Sequence, residues 1–228
     1  MRRPLAAIVS LLPVLAGVPA SVEAAQPGFY AGGNWLENGF DANQDQFDAV
    51  TLSLLDLFDF TVTSYSSTFD DSDSGYEFIG GYRLFEWLAF EASYMDIGKV
   101  TQRATAGVES AGEPLQIDST LDTDLSGIAV SALGIWQATD RFSVYLRGGF
   151  LLGDVTTRAR LTDGIGSFTD SISGSDEGFL WGVGAGLEFA DIYTLRLEYR
   201  QIVDVGDEVT GKFDADSVSL GLIVAFGF

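Results

Sequence analysis

Apolar and polar side chains alternate residue by residue along much of this chain, the period of two that belongs to strands rather than helices. The clearest run is 217–228. Val218, Leu220, Leu222, Val224, Phe226 and Phe228 share one face, and Ser217, Ser219, Gly221, Ile223, Ala225 and Gly227 the other. The second face is mostly small, as the crowded interior of a narrow barrel requires. From residue 193, Tyr193, Leu195, Leu197 and Tyr199 oppose Thr194, Arg196, Glu198 and Arg200. In 142–153, Phe142, Val144, Leu146, Phe150 and Leu152 oppose Ser143, Tyr145 and Arg147. In 178–189, Phe179, Trp181, Val183, Leu187 and Phe189 oppose Gly182, Gly184, Gly186 and Glu188. In 76–84, Tyr76, Phe78, Tyr82 and Leu84 oppose Glu77, Ile79, Gly81 and Arg83. In 87–95, Leu88, Phe90, Ala92 and Tyr94 oppose Glu91 and Ser93. Two segments are weaker. Residues 29–36 are short and Gly-rich, and 125–136 are apolar on both faces, which leaves their facing open.

These eight segments have the length and alternation of strands that meet lipid on one side and a lumen on the other. Their links alternate strictly between short (85–86, 137–141, 190–192) and long (37–75, 98–123, 154–177, 204–216). An up-and-down barrel with both termini in the periplasm gives that pattern, because outer-membrane barrels have short periplasmic turns and long outer loops. A soluble β-sandwich also alternates, but it hides its apolar face between two sheets. Here Trp35, Tyr76, Trp87, Trp136, Phe142, Phe189 and Tyr193 fall near strand ends, where a membrane barrel carries its aromatic girdles. The expected fold is all-β: an eight-stranded antiparallel up-and-down transmembrane β-barrel over 25–228.

The N-terminus has a different pattern. Met1-Arg2-Arg3 precedes an apolar stretch from Leu5 to about Val18 and then Val22-Glu23-Ala24-Ala25. This is the layout of a secretory signal peptide over 1–24, with cleavage after Ala24 or Ala25. Its apolar core is too short for a membrane anchor and is interrupted by Pro13. No later segment holds the roughly 20 consecutive apolar residues of a membrane-spanning helix.

Charge narrows the choice of partners. The net charge is −21, which argues against nucleic acid and against docking on anionic lipid through a basic patch. Residues 37–74 carry Glu37, Asp41, Asp45, Asp48, Asp56, Asp59, Asp70, Asp71 and Asp73, with no Lys or Arg. Within them, Phe47, Val50, Leu54, Leu55 and Phe58 fit a helical stripe, and an extended reading fits almost as well. Such a segment folds onto the barrel, caps its mouth, touches the bilayer or meets a partner.

The chain has no histidine and no cysteine. That removes Ser-His-Asp hydrolysis, His-based proton transfer, thiol nucleophiles and the usual zinc sites. Gly182-Val183-Gly184-Ala185-Gly186 lacks the βαβ context of a nucleotide fingerprint. Asp70-Asp71-Ser72-Asp73 lacks the full EF-hand ligand set in every frame. No catalytic, cofactor or metal residues are therefore assigned. The informative charges are Glu77, Arg83, Glu91, Arg147, Glu188, Arg196, Glu198 and Arg200, all on the faces opposite the apolar ones. Charge facing lipid is costly, so these are expected to pair inside and to fill a narrow lumen.

The chain resembles the OmpA-like outer-membrane barrel family. The resemblance is carried by Gly28-Phe29-Tyr30-Ala31-Gly32-Gly33, by Asp73-Ser74-Gly75-Tyr76-Glu77-Phe78-Ile79-Gly80-Gly81-Tyr82-Arg83, and by Ala89-Phe90-Glu91-Ala92-Ser93-Tyr94-Met95-Asp96-Ile97-Gly98. It implies a barrel in the outer membrane of a Gram-negative bacterium. Its partners would be outer-membrane lipid and the outer-membrane assembly machinery. Gly221, Val224, Phe226 and Phe228 look like the terminal assembly signal of such barrels. The peptidoglycan-binding activity of some members is not carried over, since the sequence ends at Phe228. The expected function is that of a non-enzymatic structural or surface protein with a plugged, salt-bridged lumen and acidic outer loops. The alternative is a small passive channel or a carrier for small apolar molecules.

Overall fold

The computed structural model describes residues 27–41, 44–110, 113–163, 166–190, 192–205 and 213–226. The expected signal peptide and Phe228 lie outside the described residues. The elements run β1 (Gly28–Phe40), α1 (Gln44–Leu57), β2 (Thr61–Asp70), β3 (Ser72–Phe85), β4 (Leu88–Ser110), β5 (Glu113–Gln137), β6 (Phe142–Thr162), β7 (Ser167–Phe189), β8 (Tyr193–Val205) and β9 (Phe213–Phe226). All sheet pairings are antiparallel. β1 pairs with β3 on one side and with β9 on the other, and this closes a ring of eight strands, β1-β3-β4-β5-β6-β7-β8-β9. β2 stands outside the ring. It pairs with β4 from Thr61↔Glu109 to Asp70↔Thr101, and β3 then takes over along the same strand from Tyr76↔Asp96. β2 and β3 thus form one long strand interrupted at Asp71.

The two faces divide as alternation requires. Phe29, Trp35, Phe78, Phe90, Leu146, Phe150, Leu152, Leu220 and Phe226 point outward and are exposed. An apolar surface that encircles the molecule would drive a soluble protein to aggregate; here it is the band that lipid covers. Stacked pairs Phe85–Trp87 and Phe189–Tyr193, each with ring centroids 5.6 Å apart, mark its periplasmic rim. The facing of β5, open in the sequence, is resolved. Ile128, Val130 and Trp136 are exposed, while Leu125, Ala129, Leu133 and Ile135 are buried in the lumen.

The long links are not mainly loops. β4 and β5 stay paired to Ser110↔Glu113, and β6 and β7 to Thr162↔Ser167. The wall formed by β2 and β4–β7 therefore rises well above the lipid band, whereas β8 and β9 are paired only as far as Val205↔Phe213. Above the membrane no lipid enforces apolar outward positions, so the sequence there loses the contrast that marks a strand.

One residue keeps the tall wall aligned. The β4–β5 register shifts between Asp96 and Gly98, so Ile97 is a bulged residue. Below it Ala89, Glu91, Ser93 and Met95 are buried; above it Val100, Gln102, Ala104, Ala106 and Val108 are. The extra residue changes the inward parity from odd to even, as a bulge must. Gly98 sits at φ +89°, a left-handed conformation that glycine accepts without strain. Its N–H donates to Asp96 Oδ1 (3.0 Å), and the Lys99 N–H donates to Asp73 Oδ2 (3.1 Å).

The apolar stretch within 37–74 is helical from Gln44 to Leu57, with Phe58 in the turn that follows. Its seated face is narrower than the expected stripe: Phe47 packs on Phe69 (centroids 5.1 Å), and Thr51 and Leu55 are buried. The spacing is i, i+4, i+8. Val50 and Phe58, which the stripe also included, are exposed together with Leu57. The physical reason is that α1 meets the curved wall along a single line, with Leu55 packed against Ala106, Val108 and Ile117.

Candidate functional site

The inward faces of β3, β4, β6 and β8 bring six charged side chains together halfway down the lumen. They are Glu77 (β3), Glu91 (β4), Arg147 (β6) and Arg196, Glu198 and Arg200 (β8), every one buried. Arg147 donates from Nη2 to Glu91 Oε2 (2.5 Å) and from Nη1 to Glu77 Oε1 (3.4 Å). Arg200 donates from Nη2 to Glu77 Oε2 (2.8 Å) and from Nε to Glu198 Oε1 (2.9 Å). Arg196 donates from Nη1 to Glu91 Oε1 (2.6 Å). β4 and β8 are diametrically opposed in the ring, so this last ion pair crosses the full width of the barrel. The three carboxylates and three guanidiniums balance in charge.

Aromatic and amide groups complete the set. The Tyr30 hydroxyl donates to Glu91 Oε1 (2.8 Å), the Tyr145 hydroxyl to Glu198 Oε2 (2.7 Å), and Asn34 Nδ2 to Glu77 Oε2 (2.7 Å). The Arg196 guanidinium lies 5.4 Å from the Tyr30 ring centroid and 5.2 Å from that of Tyr145, within cation–π range of both. The tyrosines lie flat because the residues paired beside them are Gly81 and Gly184. A Cβ at either position would come within 2.3 Å of the ring. This explains the Gly182-Val183-Gly184-Ala185-Gly186 run: small residues there make room for Tyr145 and the charges. Among the described residues, two buried side-chain polar atoms have no hydrogen-bond partner, Asn34 Oδ1 and Arg147 Nε. The latter lies 3.2 Å from Glu198 Oε1, close enough for attraction but misaligned for a hydrogen bond.

The charges are held between two apolar layers. On the outer side Phe40, Met95, Ile97, Leu125, Leu151, Leu180 and Ile202 form a cluster on which Phe47 of α1 rests. On the periplasmic side Tyr30, Ile79, Leu133, Ile135, Tyr145 and Ile223 form the other. Apolar walls lower the local dielectric, which strengthens each ion pair and raises the cost of leaving one charge alone.

Above the outer layer, a polar clasp seats α1. The Thr51 hydroxyl donates to Gln102 Oε1 (2.9 Å), Gln102 Nε2 donates to Asp48 Oδ1 (2.5 Å), and the Tyr65 hydroxyl donates to the same oxygen (2.7 Å). Burial, and then the Asp48 carboxylate beside it, push the Tyr65 phenol up to about 12.

Two of the eight expected network residues lie elsewhere. Arg83 and Glu188 line a separate cavity at the periplasmic mouth and make no salt bridge with the central six. Alternation assigns a residue to the inner face but says nothing of its height, which depends on strand stagger. Tyr30, Asn34 and Tyr145 were missed as partners. Tyr145 shares the parity of Arg147, two residues away, so that signal was present; Asn34 was hidden in the weak, Gly-rich first segment. Of the terminal signal residues, Gly221 faces inward beside Asn34, and Phe226 is exposed opposite Phe29. Val224 pairs with Ala31. Among the described residues no group of three or more acids could hold a metal ion.

A closed antiparallel ring with an apolar outer band and an ionic interior defines a transmembrane β-barrel. The chain belongs to the outer membrane protein beta-barrel domain family, which it matches over residues 7–226. The fold is also similar to solved structures. Neisserial surface protein A is 17% identical, with 89% of this chain and 100% of that one covered and a TM-score of 0.48. Ail, the attachment invasion locus protein of Yersinia pestis, is 12% identical over 88% and 97%, with a TM-score of 0.42. OprG of Pseudomonas aeruginosa is 11% identical over 90% and 98%, with a TM-score of 0.43. No curated protein matches the chain by sequence.

Proposed function

We propose that this chain is a structural and surface protein of the outer membrane whose lumen is closed by its ion-pair cluster. It is exported by a signal peptide cleaved after Ala24 or Ala25 and performs no catalysis. One observation carries the reading. The Arg196–Glu91 pair links opposite walls at 2.6 Å, and the four other charges of the cluster fill the same level of the lumen. An ion in transit would have to displace buried, mutually paired charges, which costs far more than thermal energy. The acidic outer hairpins then form the surface that meets other molecules.

The test is solute flux. Folded protein in liposomes is expected to leave the vesicles as tight to potassium, chloride and small sugars as protein-free vesicles. Flux that scales with the amount of protein contradicts a closed lumen.

A second reading, a carrier for small apolar molecules, has one observation in its favour. Val50, Leu57 and Phe58 of the helical segment, with Phe168 and Ile172 of β7, are exposed apolar groups at the outer end of the barrel. Saturable binding of an apolar fluorophore, abolished by Leu57→Ser with Ile172→Ser, would favour it.

A further inference from the structure

A cavity at the periplasmic mouth is locally basic, although Glu86 and Asp140 stand in the turns around it. Acidic residues outnumber basic ones 33 to 12 overall, yet the cavity between the turns is lined by Arg83, Arg141 and Arg196 against one acid, Glu188. The cavity measures about 90 Å³. On that measure one water needs about 10–15 Å³, so there is room for a small oxyanion.

The three guanidiniums differ in how they are held. Arg196 forms the floor, fixed by Glu91 at 2.6 Å and by the rings of Tyr30 and Tyr145. Arg83 forms a wall from the end of β3, where it pairs with Gly28 and Ala89. It is half-buried, and Glu188 and Tyr30 lie near enough to act on its charge, but among the described residues it forms no salt bridge. Arg141 stands at the rim in the turn between β5 and β6, exposed. Ser143 and Thr194 add hydroxyl donors to the lining. Arginine cannot shed its charge, and with Arg196 already paired to Glu91, Arg83 and Arg141 against Glu188 leave the lining with an excess positive charge that an anion balances. Planar N–H forks match the paired oxygens of carboxylates and phosphates.

From this geometry we infer that the periplasmic mouth is a binding site for a small oxyanion, held by Arg83 and Arg141 over the fixed floor of Arg196. The site adjoins the central cluster and shares Arg196 with it, while Arg83 and Arg141 stand outside that cluster. Its ligand carries a phosphate or carboxylate group and arrives from the periplasmic side, free in solution or on a lipid headgroup.

The experiment follows the arginine side-chain N–H signals of the full folded chain in zwitterionic micelles while inorganic phosphate replaces chloride at constant ionic strength. The site predicts saturable shifts at Arg83 and Arg141 and none at Arg158, which pairs with Asp124 on the outer wall. Arg83→Gln is expected to weaken phosphate about tenfold, the loss of one charge-assisted contact. Arg141→Gln, in an exposed turn, is expected to weaken it less and serves where Arg83→Gln does not fold. Phosphatidylglycerol added to the micelles separates the sources: displacement of phosphate identifies a headgroup as the occupant, and undisturbed binding identifies a soluble anion. Unsaturating shifts, equal shifts at Arg158, or unchanged affinity in both variants would overturn the site.

Discussion

The middle of the lumen and its outer end are filled from opposite chemistries. At mid-height, six charges from four strands interlock, and each carboxylate answers two guanidiniums or a guanidinium and a hydroxyl. At the outer end, α1 is seated by Phe47, Thr51 and Leu55 and by a small clasp of neutral and acidic groups. The first arrangement cannot be opened in part, because any one charge removed leaves others buried without their partner. The second can be lifted away without stranding a buried charge. The barrel is thus rigid where it crosses the membrane and separable where it meets the outside, and each half can be attacked on its own.

The largest effect is expected from the middle. Glu91→Ala removes the acceptor shared by Arg147, Arg196 and Tyr30, and breaking such a buried pair costs about 3–5 kcal/mol. Urea unfolding in lipid vesicles, followed by tryptophan fluorescence, reads the loss. A change within error of wild type would mean that water already reaches the cluster. A smaller, local effect is expected from Leu55→Ala. Truncating this buried side chain costs about 2–4 kcal/mol, confined to the seating of α1. Limited proteolysis is then expected to cut within α1 while the unfolding midpoint of the barrel stays put; a shifted midpoint would show that helix and barrel fold as one unit. The smallest effect belongs to the clasp. Tyr65→Phe loses one hydrogen bond, about 1 kcal/mol. Tyr65 also sets a pH dependence. Its folded value is above the ordinary 10.0, so its contribution is complete below pH 10 and is lost as pH rises through about 12. The helical circular-dichroism signal of α1 is expected to fall over that window in wild type and to fall less in Tyr65→Phe.

What was legible in the sequence follows the same division. Within the lipid band, lipid itself enforces alternation, so Leu220 and Leu222 outward with Ser219 and Gly221 inward could be read directly. Short turns at one end and long links at the other gave the topology. Residues 125–136 resisted because their inner face, Leu125, Ala129, Leu133 and Ile135, belongs to the apolar layers on either side of the charges. Both faces of that strand are therefore apolar for different reasons. Beyond the membrane the reading failed physically. Strands 154–162 and 167–176 have water on their outer face and little cover inside, so the pattern reads as loop. The parity change at Gly98 depends on one extra residue and leaves no periodic trace. The charged set is legible as a face but not as a height: Arg83 and Glu188 share a cavity with Arg196 but form no salt bridge with the central six.

The central claim is that the charges close the lumen, and single-channel recording in planar bilayers addresses it most directly. Wild-type protein is expected to give no conductance steps. The double variant Glu91→Ala with Arg196→Ala, which removes the pair crossing the barrel, is expected to give small discrete steps. Steps of equal size from both proteins would contradict the account, since the pore would then run past the cluster rather than through it.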